Sequence, residues 1–291
     1  MKKHKICKIL LVILAIFLCV AFYELLGICV AYKKQPEVSN TTKKETKNGS
    51  WNECSENTER AVIIEKNPEA LLQRVRLIKN AKKEIILSTF AFQSDESGKL
   101  ILGALHDAAD RGVHIRLLVD GMESWIDMEG NPYFYGLSSH ENVEIKLYNK
   151  ANPLKPWKMM GRMHDKYLIA DGKRYILGGR NTYNYFLGDF PGHKNYDRDV
   201  LVVCDEPEKE NSVNQLLEYF ETIWEQEDSG YFHDNKKLAN RKSVKNAVLE
   251  LQNSYQKYFE ENKERICDTD YTDETFETEK IALVSNPIHT G

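Results

Sequence analysis

His164, Lys166, Gly179 and Asn181 are the residues of this chain whose types and spacing point most directly to chemistry. A neutral imidazole can attack phosphorus, an ammonium and a carboxamide can hold non-bridging phosphate oxygens, and a residue without a side chain gives a phosphate room to approach. Together these groups suit cleavage of a phosphodiester through a covalent intermediate on His164. They require no metal and no organic cofactor.

Such chemistry needs the four residues on one surface, and the local sequence predicts how that is achieved. Residues 163–170 and 173–179 are apolar-rich runs joined by Asp171-Gly172, a dipeptide that favours a two-residue type I′ hairpin turn. That turn sets Ala170 opposite Lys173, Lys166 opposite Leu177 and His164 opposite Gly179. His164, Lys166, Gly179 and Asn181 then share one face, with open space beside the imidazole at Gly179.

The string from His164 to Asn181 resembles the phospholipase D superfamily signature, H-x-K-x4-D-x6-G-[SG] followed closely by Asn, with His164, Lys166, Asp171, Gly178, Gly179 and Asn181 in its positions. The ending Gly178-Gly179-Arg180-Asn181, with Tyr185-Phe186 after it, is most similar to the cardiolipin-synthase branch. The resemblance extends over roughly residues 67–205. It implies that His164 forms a phosphohistidine, that Lys166, Gly179 and Asn181 bind the phosphate, and that Asp171 counts among the catalytic residues. The predicted hairpin puts Asp171 in the turn, where its part is structural or one of tuning the hairpin. Arg180 and Asp199 stand beside these positions, and structural ion pairing is the expected role of each.

The resemblance also implies two signatures per active site, the second histidine protonating the leaving group and later activating the acceptor. None of the other histidines, at 4, 106, 114, 140, 193, 233 and 289, has Lys two places on. A homodimer, or a separately encoded second half, is therefore the expected partner.

The elements around the hairpin follow from periodicity. Asn67-Pro68-Glu69 opens a helix with Leu71, Leu72, Val75 and Ile78 on one face, residues 84–92 form a buried strand, and Ser97 caps a helix that Gly112 ends. Residues 114–120, 143–148 and 199–204 are further strands. A helix carrying Val213, Leu216, Leu217, Phe220 and Trp224 follows the last of them. Strands alternating with amphipathic helices predict a layered α/β domain, and the resemblance implies an α/β/α phospholipase D half-domain with a mixed sheet.

Residues 1–32 predict a transmembrane anchor. Four Lys residues precede an apolar run from Ile9 to Tyr32 that only Glu24 interrupts, long enough to cross a bilayer. A cleaved signal peptide is the competing reading, but no convincing cleavage site follows. A domain outside the cytoplasm is the expected orientation. Residues 33–60 are polar and read as a tether, and 61–228 as the catalytic domain. Residues 229–291 read as a helical bridge, from Ser243 to about Lys263, and the start of a second half at Ile281 that resembles a truncated two-motif enzyme.

The whole chain carries 40 basic and 44 acidic side chains. Residues 1–32 hold four Lys and one Glu, which leaves 36 basic against 43 acidic beyond them, a balance that disfavours nucleic acid as a substrate. The aromatic and Met-rich segments 156–160 and 183–190 suit either a lipid interface, with Lys155 and Lys158 meeting headgroups, or ordinary loop packing. Cys204 reads as a buried small hydrophobe, and Cys54 and Cys267 as free to pair. Three functions remain open: a membrane-anchored phosphatidyltransferase or phospholipase, a homodimeric nuclease-type phosphodiesterase, and an inactive truncated product.

Overall fold

Short runs rich in Ile, Leu and Val, linked by helices, form parallel strands because the helical crossover covers the sheet as it returns the chain. In the computed structural model, which describes residues 2–33, 59–158, 161–207, 211–279 and 281–285, strands β2 (Glu84–Thr89), β3 (His114–Asp120) and β4 (Val143–Tyr148) pair in this way. Six antiparallel strands extend them: β1 (Glu59–Ile64), β5 (Tyr167–Ala170), β6 (Arg174–Gly178), β7 (Asp199–Val203), β8 (Ser229–Tyr231) and β9 (Phe276–Thr278). The result is one mixed sheet in the order β8-β4-β3-β2-β5-β6-β7-β1-β9.

One face of the sheet is covered by helices α2 (Asn67–Asn80), α3 (Glu96–Asp110) and α5 (Pro132–Ser138), the other by α6 (Ser212–Trp224). Leu71, Val75, Ile101, Leu105, Leu117 and Leu168 belong to the first core, and Ile86, Leu118, Ile169, Val202, Leu216 and Phe220 to the second. Alternate residues of one strand thus serve opposite cores, as a doubly covered sheet requires. Helix α4 (Gly121–Asp127) sits beyond the end of β3, and α1 (Lys2–Lys33) precedes the domain.

Three expectations need correction here. The cap of α3 is Asp95, whose carboxylate accepts from Gly98 N at 3.0 Å, while Ser97 is already inside the helix. Glu59 and Arg60, read as the end of the tether, belong to β1. The region after residue 228 is no bridge: helix α7 (Lys242–Glu261) buries Val244, Ala247, Leu251, Tyr255 and Phe259 against α3 and α5. A short helix α8 (Lys263–Cys267) packs on α2, and β8 and β9 complete the two sheet edges.

The stripe read as an outgoing helix therefore belongs to the first core. The buried Arg76 ties this region down, bonding Asp268 O at 2.8 Å, Asp270 O at 2.7 Å and Glu274 at 2.9 Å beneath the ring of Tyr271. Ile281 and Leu283, expected to open a second half, pack against the core under α6, and Leu283 N donates to Gln215 Oε1. Residues 286–291 lie outside the described residues, as does Cys54 of the expected pair. Cys267 is exposed and Cys204 is buried.

Candidate active site

The hairpin departs from the predicted register by one residue. Ala170 pairs with Arg174 and Tyr167 with Leu177, so the loop has three residues, Asp171-Gly172-Lys173. The physical cause is Asp171. Its backbone takes a left-handed φ of 55°, and its carboxylate accepts from the N–H groups of Lys82, Lys83 and Glu84 at 2.7–3.1 Å. Three bonds to the start of β2 outweigh the intrinsic preference of Asp-Gly for a two-residue turn. Asp171 stands at the end of β5 away from His164 and staples the hairpin to the sheet.

The shift places Gly178, not Leu177, across from Lys166, and Gly178 N donates to Lys166 O at 3.1 Å. The open space expected at Gly179 is filled. A Cβ there would collide with the carboxylate of Asp197, and one on Gly178 with Asp199 and the carbonyl of Arg198. Gly178 is required by the close approach of the backbone entering β7, whereas at Gly179 the neighbour is the Asp197 side chain alone.

His164 and Lys166 lie just before β5, in extended chain. Asp120, at the end of β3, holds that chain from below, accepting from Met163 N at 3.0 Å and from Arg162 Nε at 2.9 Å. Lys166 is 6% exposed and its ammonium donates to His164 O at 2.6 Å, whereas the imidazole of His164 is open to solvent. Phe90, directly after β2, sets its ring edge-on to His164 with centroids 4.6 Å apart. Lys166 Nζ and the Arg162 guanidinium lie 5.3 and 5.0 Å from the same ring.

Asn181 joins this group through the neighbouring residue. Thr182 N donates to Ala91 O at 3.0 Å and Ala91 N to Asn181 Oδ1 at 3.3 Å. The carboxamide oxygen is occupied, so the amide nitrogen is the end that donates, and it has the Tyr183 side chain as a neighbouring acceptor. His164, Lys166 and Asn181 thus gather around Phe90-Ala91.

Burial, with Lys166 close by, holds the His164 imidazole below its ordinary pKa, favouring the neutral, nucleophilic form. Burial lowers Lys166 to about 8, opposed by the carboxylates of Asp165 and Asp197. Asp165 is itself pushed up by burial, while a hydrogen bond from the Tyr219 hydroxyl at 2.8 Å acts the other way. A neutral histidine beside a lysine that at about 8 is still largely charged at neutral pH can accept an anionic phosphorus centre. Binding that anion would in turn favour the charged lysine.

Phe90, Asp120, Asp165 and Asp197 were not found by sequence reasoning. Only Asp165 lies inside the signature string, and no local pattern distinguishes the other three from ordinary strand-end residues. Arg180 and Asp199 fulfil the expected structural role. The buried Asp199 carboxylate lies 3.2 Å from Arg180 and 2.9 Å from Arg74, and Arg180 also binds Asn67, Ile64 O and Glu65 O.

Residues 74–224 match the family described as cardiolipin synthase, PLD-like domain. The chain belongs to the phospholipase D superfamily. A Helicobacter pylori protein described only as uncharacterized is 30% identical over 212 residues, covering 68% of this chain and 39% of the relative. Cardiolipin synthase C of Escherichia coli is 29% identical over 171 residues, 54% of this chain and 34% of that protein. The chain thus aligns with little more than a third of the length of these relatives. Phosphatidylserine synthase from Haemophilus influenzae has a similar fold, with a TM-score of 0.50 at 18% identity over 76% of this chain and 48% of its own.

The superfamily is one of phosphodiesterases and phosphatidyltransferases, and the signature string of this member supplies the His164 group. Among the described residues no cluster of His, Cys, Asp and Glu suits a metal ion. Of the flanking segments, 183–190 is loop packing: Tyr183, Tyr185 and Phe186 stack on one another, and Phe186 and Leu187 are buried. In the other, Lys158 is tied to Asp228 at 2.9 Å and so is not a free headgroup ligand, Trp157 is exposed, and Met159-Met160 lie outside the described residues.

Proposed function

We propose that this phospholipase D superfamily member is a membrane-anchored phosphodiesterase or phosphatidyltransferase of the cardiolipin-synthase type, acting on phospholipid. The observation that carries the reading is the solvent-open His164 imidazole, held below its ordinary pKa beside buried Lys166, with Asn181 bonded to Ala91, the residue after the Phe90 ring that meets His164.

In the proposed reaction a His164 ring nitrogen attacks phosphorus, and an N–P bond forms as the bond from phosphorus to the leaving alcohol breaks. Lys166 and the Asn181 amide hold the non-bridging oxygens, with the backbone at Gly179 alongside. The departing alkoxide takes its proton from a second histidine. Water or a lipid hydroxyl then gives its proton to that histidine, attacks phosphorus and breaks the N–P bond, freeing His164.

One H-x-K string is present in this sequence, and in the proposed site a dimer mate or a partner chain supplies the second histidine. In a two-fold dimer the two His164 rings would face one cleft. The acidic balance beyond residue 32 favours lipid over nucleic acid. Helix α1, which from His4 to Lys33 is apolar enough to cross a membrane, supplies the anchor.

The test is phosphatidyl transfer and hydrolysis on phosphatidylglycerol vesicles by the full chain and by His164→Ala, with oligomeric state measured on the same samples. Turnover that vanishes in the variant supports the reading. A folded dimer without turnover on lipid, but active on nucleic acid, would replace it with a nuclease.

A further inference from the structure

Helix α1 does not stand apart from the domain. Tyr23 Oη donates to Leu154 O at 2.9 Å, and Gly27 lies against the ring of Pro156, so closely that a Cβ at 27 would clash. Ala21, Glu24, Gly27, Ile28 and Ala31 are the partly or wholly covered residues of this helix stretch, a single stripe at helical spacing. Glu24, the one charge in the apolar run, is in that stripe and is turned away from the fully exposed side.

The height of this contact follows from helix geometry. At 1.5 Å per residue, roughly 20 residues span the ~30 Å hydrocarbon core, so a span starting at Ile9 ends near Ile28. Gly27 therefore lies at the boundary, and Tyr23 about 6 Å inside it, in the zone that tyrosine and tryptophan favour.

The segment docked there presents Leu154, 79% exposed, and Trp157, 45% exposed, with the exposed Lys155 between them. Beside it α4 presents Trp125 and Ile126, 64% and 66% exposed. Gly121 of α4 lies against the backbone of Tyr148 and Asn149, and Arg162 bridges Glu123 to Asp120. All four large apolar side chains thus lie at the end of the sheet that carries His164, since they follow the C-terminal ends of β3 and β4 while His164 precedes the antiparallel β5.

Resting on the proposed anchoring of α1, we infer that Leu154, Trp157, Trp125 and Ile126 form a bilayer-seating patch, which the Tyr23–Gly27 contact holds at the lipid interface so that the His164 cleft opens onto headgroups of the same membrane. The occupant of this patch is lipid: the segment that carries Leu154 and Trp157 is docked on the apolar helix, and the exposed Lys155 between them is available to anionic headgroups. The patch sets which phosphodiesters reach His164 by presenting the cleft at headgroup level.

The test is independent of turnover. The full chain is reconstituted in phosphatidylcholine–phosphatidylglycerol vesicles whose acyl chains are brominated near the headgroup, and tryptophan quenching is compared with unbrominated vesicles. Wild type should be quenched, and Trp125→Phe/Trp157→Phe should lose most of that quenching. Both side chains are exposed, so the double variant keeps its fold. Absence of quenching in wild type, as when a second copy covers the patch, overturns the inference. Equal quenching in the double variant, leaving Trp51 and Trp224 as its sources, overturns it too. Activity on a soluble phosphodiester, measured in parallel, reports separately on the catalytic reading.

Discussion

The ring of Phe90 meets the imidazole of His164 edge-on, at 4.6 Å and an interplanar angle of 64°. The contact joins two strand ends, the exit of β2 and the approach to β5, and covers one side of an imidazole that is otherwise open. It also lies within cation–π range of Lys166 and Arg162. Phe90 is therefore a positioning residue for His164.

Phe90→Ala should lower kcat about 3- to 10-fold, the equivalent of an aromatic contact of about 0.5–1.5 kcal/mol, with little change in KM. Burial is the main cause that lowers the His164 pKa, so uncovering the ring should raise it. An NMR titration of the imidazole checks that sign, which a general loss of stability would not produce.

Lys166 should govern phosphate binding on the alkaline side. Its pKa is lowered to about 8, so the ammonium is lost as pH rises through that value and KM should increase there. Lys166→Arg, whose guanidinium keeps its charge, should abolish the rise in KM even if kcat falls. A KM that does not change with pH between 7 and 9 in the wild type, values chosen to bracket about 8, would remove Lys166 from that role.

Asp171→Ala should act on stability. It strips three backbone N–H groups of a charged acceptor, at a cost of about 2–3 kcal/mol, and should lower Tm while leaving kcat per folded molecule near wild type. Thermal unfolding and active-site titration separate these outcomes. A folded variant without activity would place Asp171 among the catalytic residues.

Leu251→Ala should cost about 2–5 kcal/mol, as expected for a fully buried core leucine. Denaturant unfolding should show the whole domain losing stability in one transition. A bridging helix outside the domain would leave the main transition unmoved.

Much of this protein was legible in the residues themselves. Periodicity located β3 and β4 to the residue and the start of α2, because their apolar patterns are local and their boundaries are marked by Gly, Pro and polar residues. The spacing of His164, Lys166 and Asn181 announced a phosphate chemistry, since attack, charge and hydrogen bonding each demand a particular side chain. The long apolar run before Lys33 is likewise a property of composition alone.

Tertiary structure decided what depends on contacts distant in sequence. The hairpin register follows Asp171 reaching Lys82–Glu84, a pairing across 87 to 89 positions that no turn propensity contains. The fate of α7 was undetermined because an amphipathic stripe states that a face will be buried but not against what. Gly179 appeared to make room for substrate and instead makes room for Asp197, while Phe90 and Asp120 acquire meaning only where β2, β3 and β5 end together. A side chain's chemistry is intrinsic to it, but its register, its neighbours and its degree of burial are set by the packing of the whole sheet.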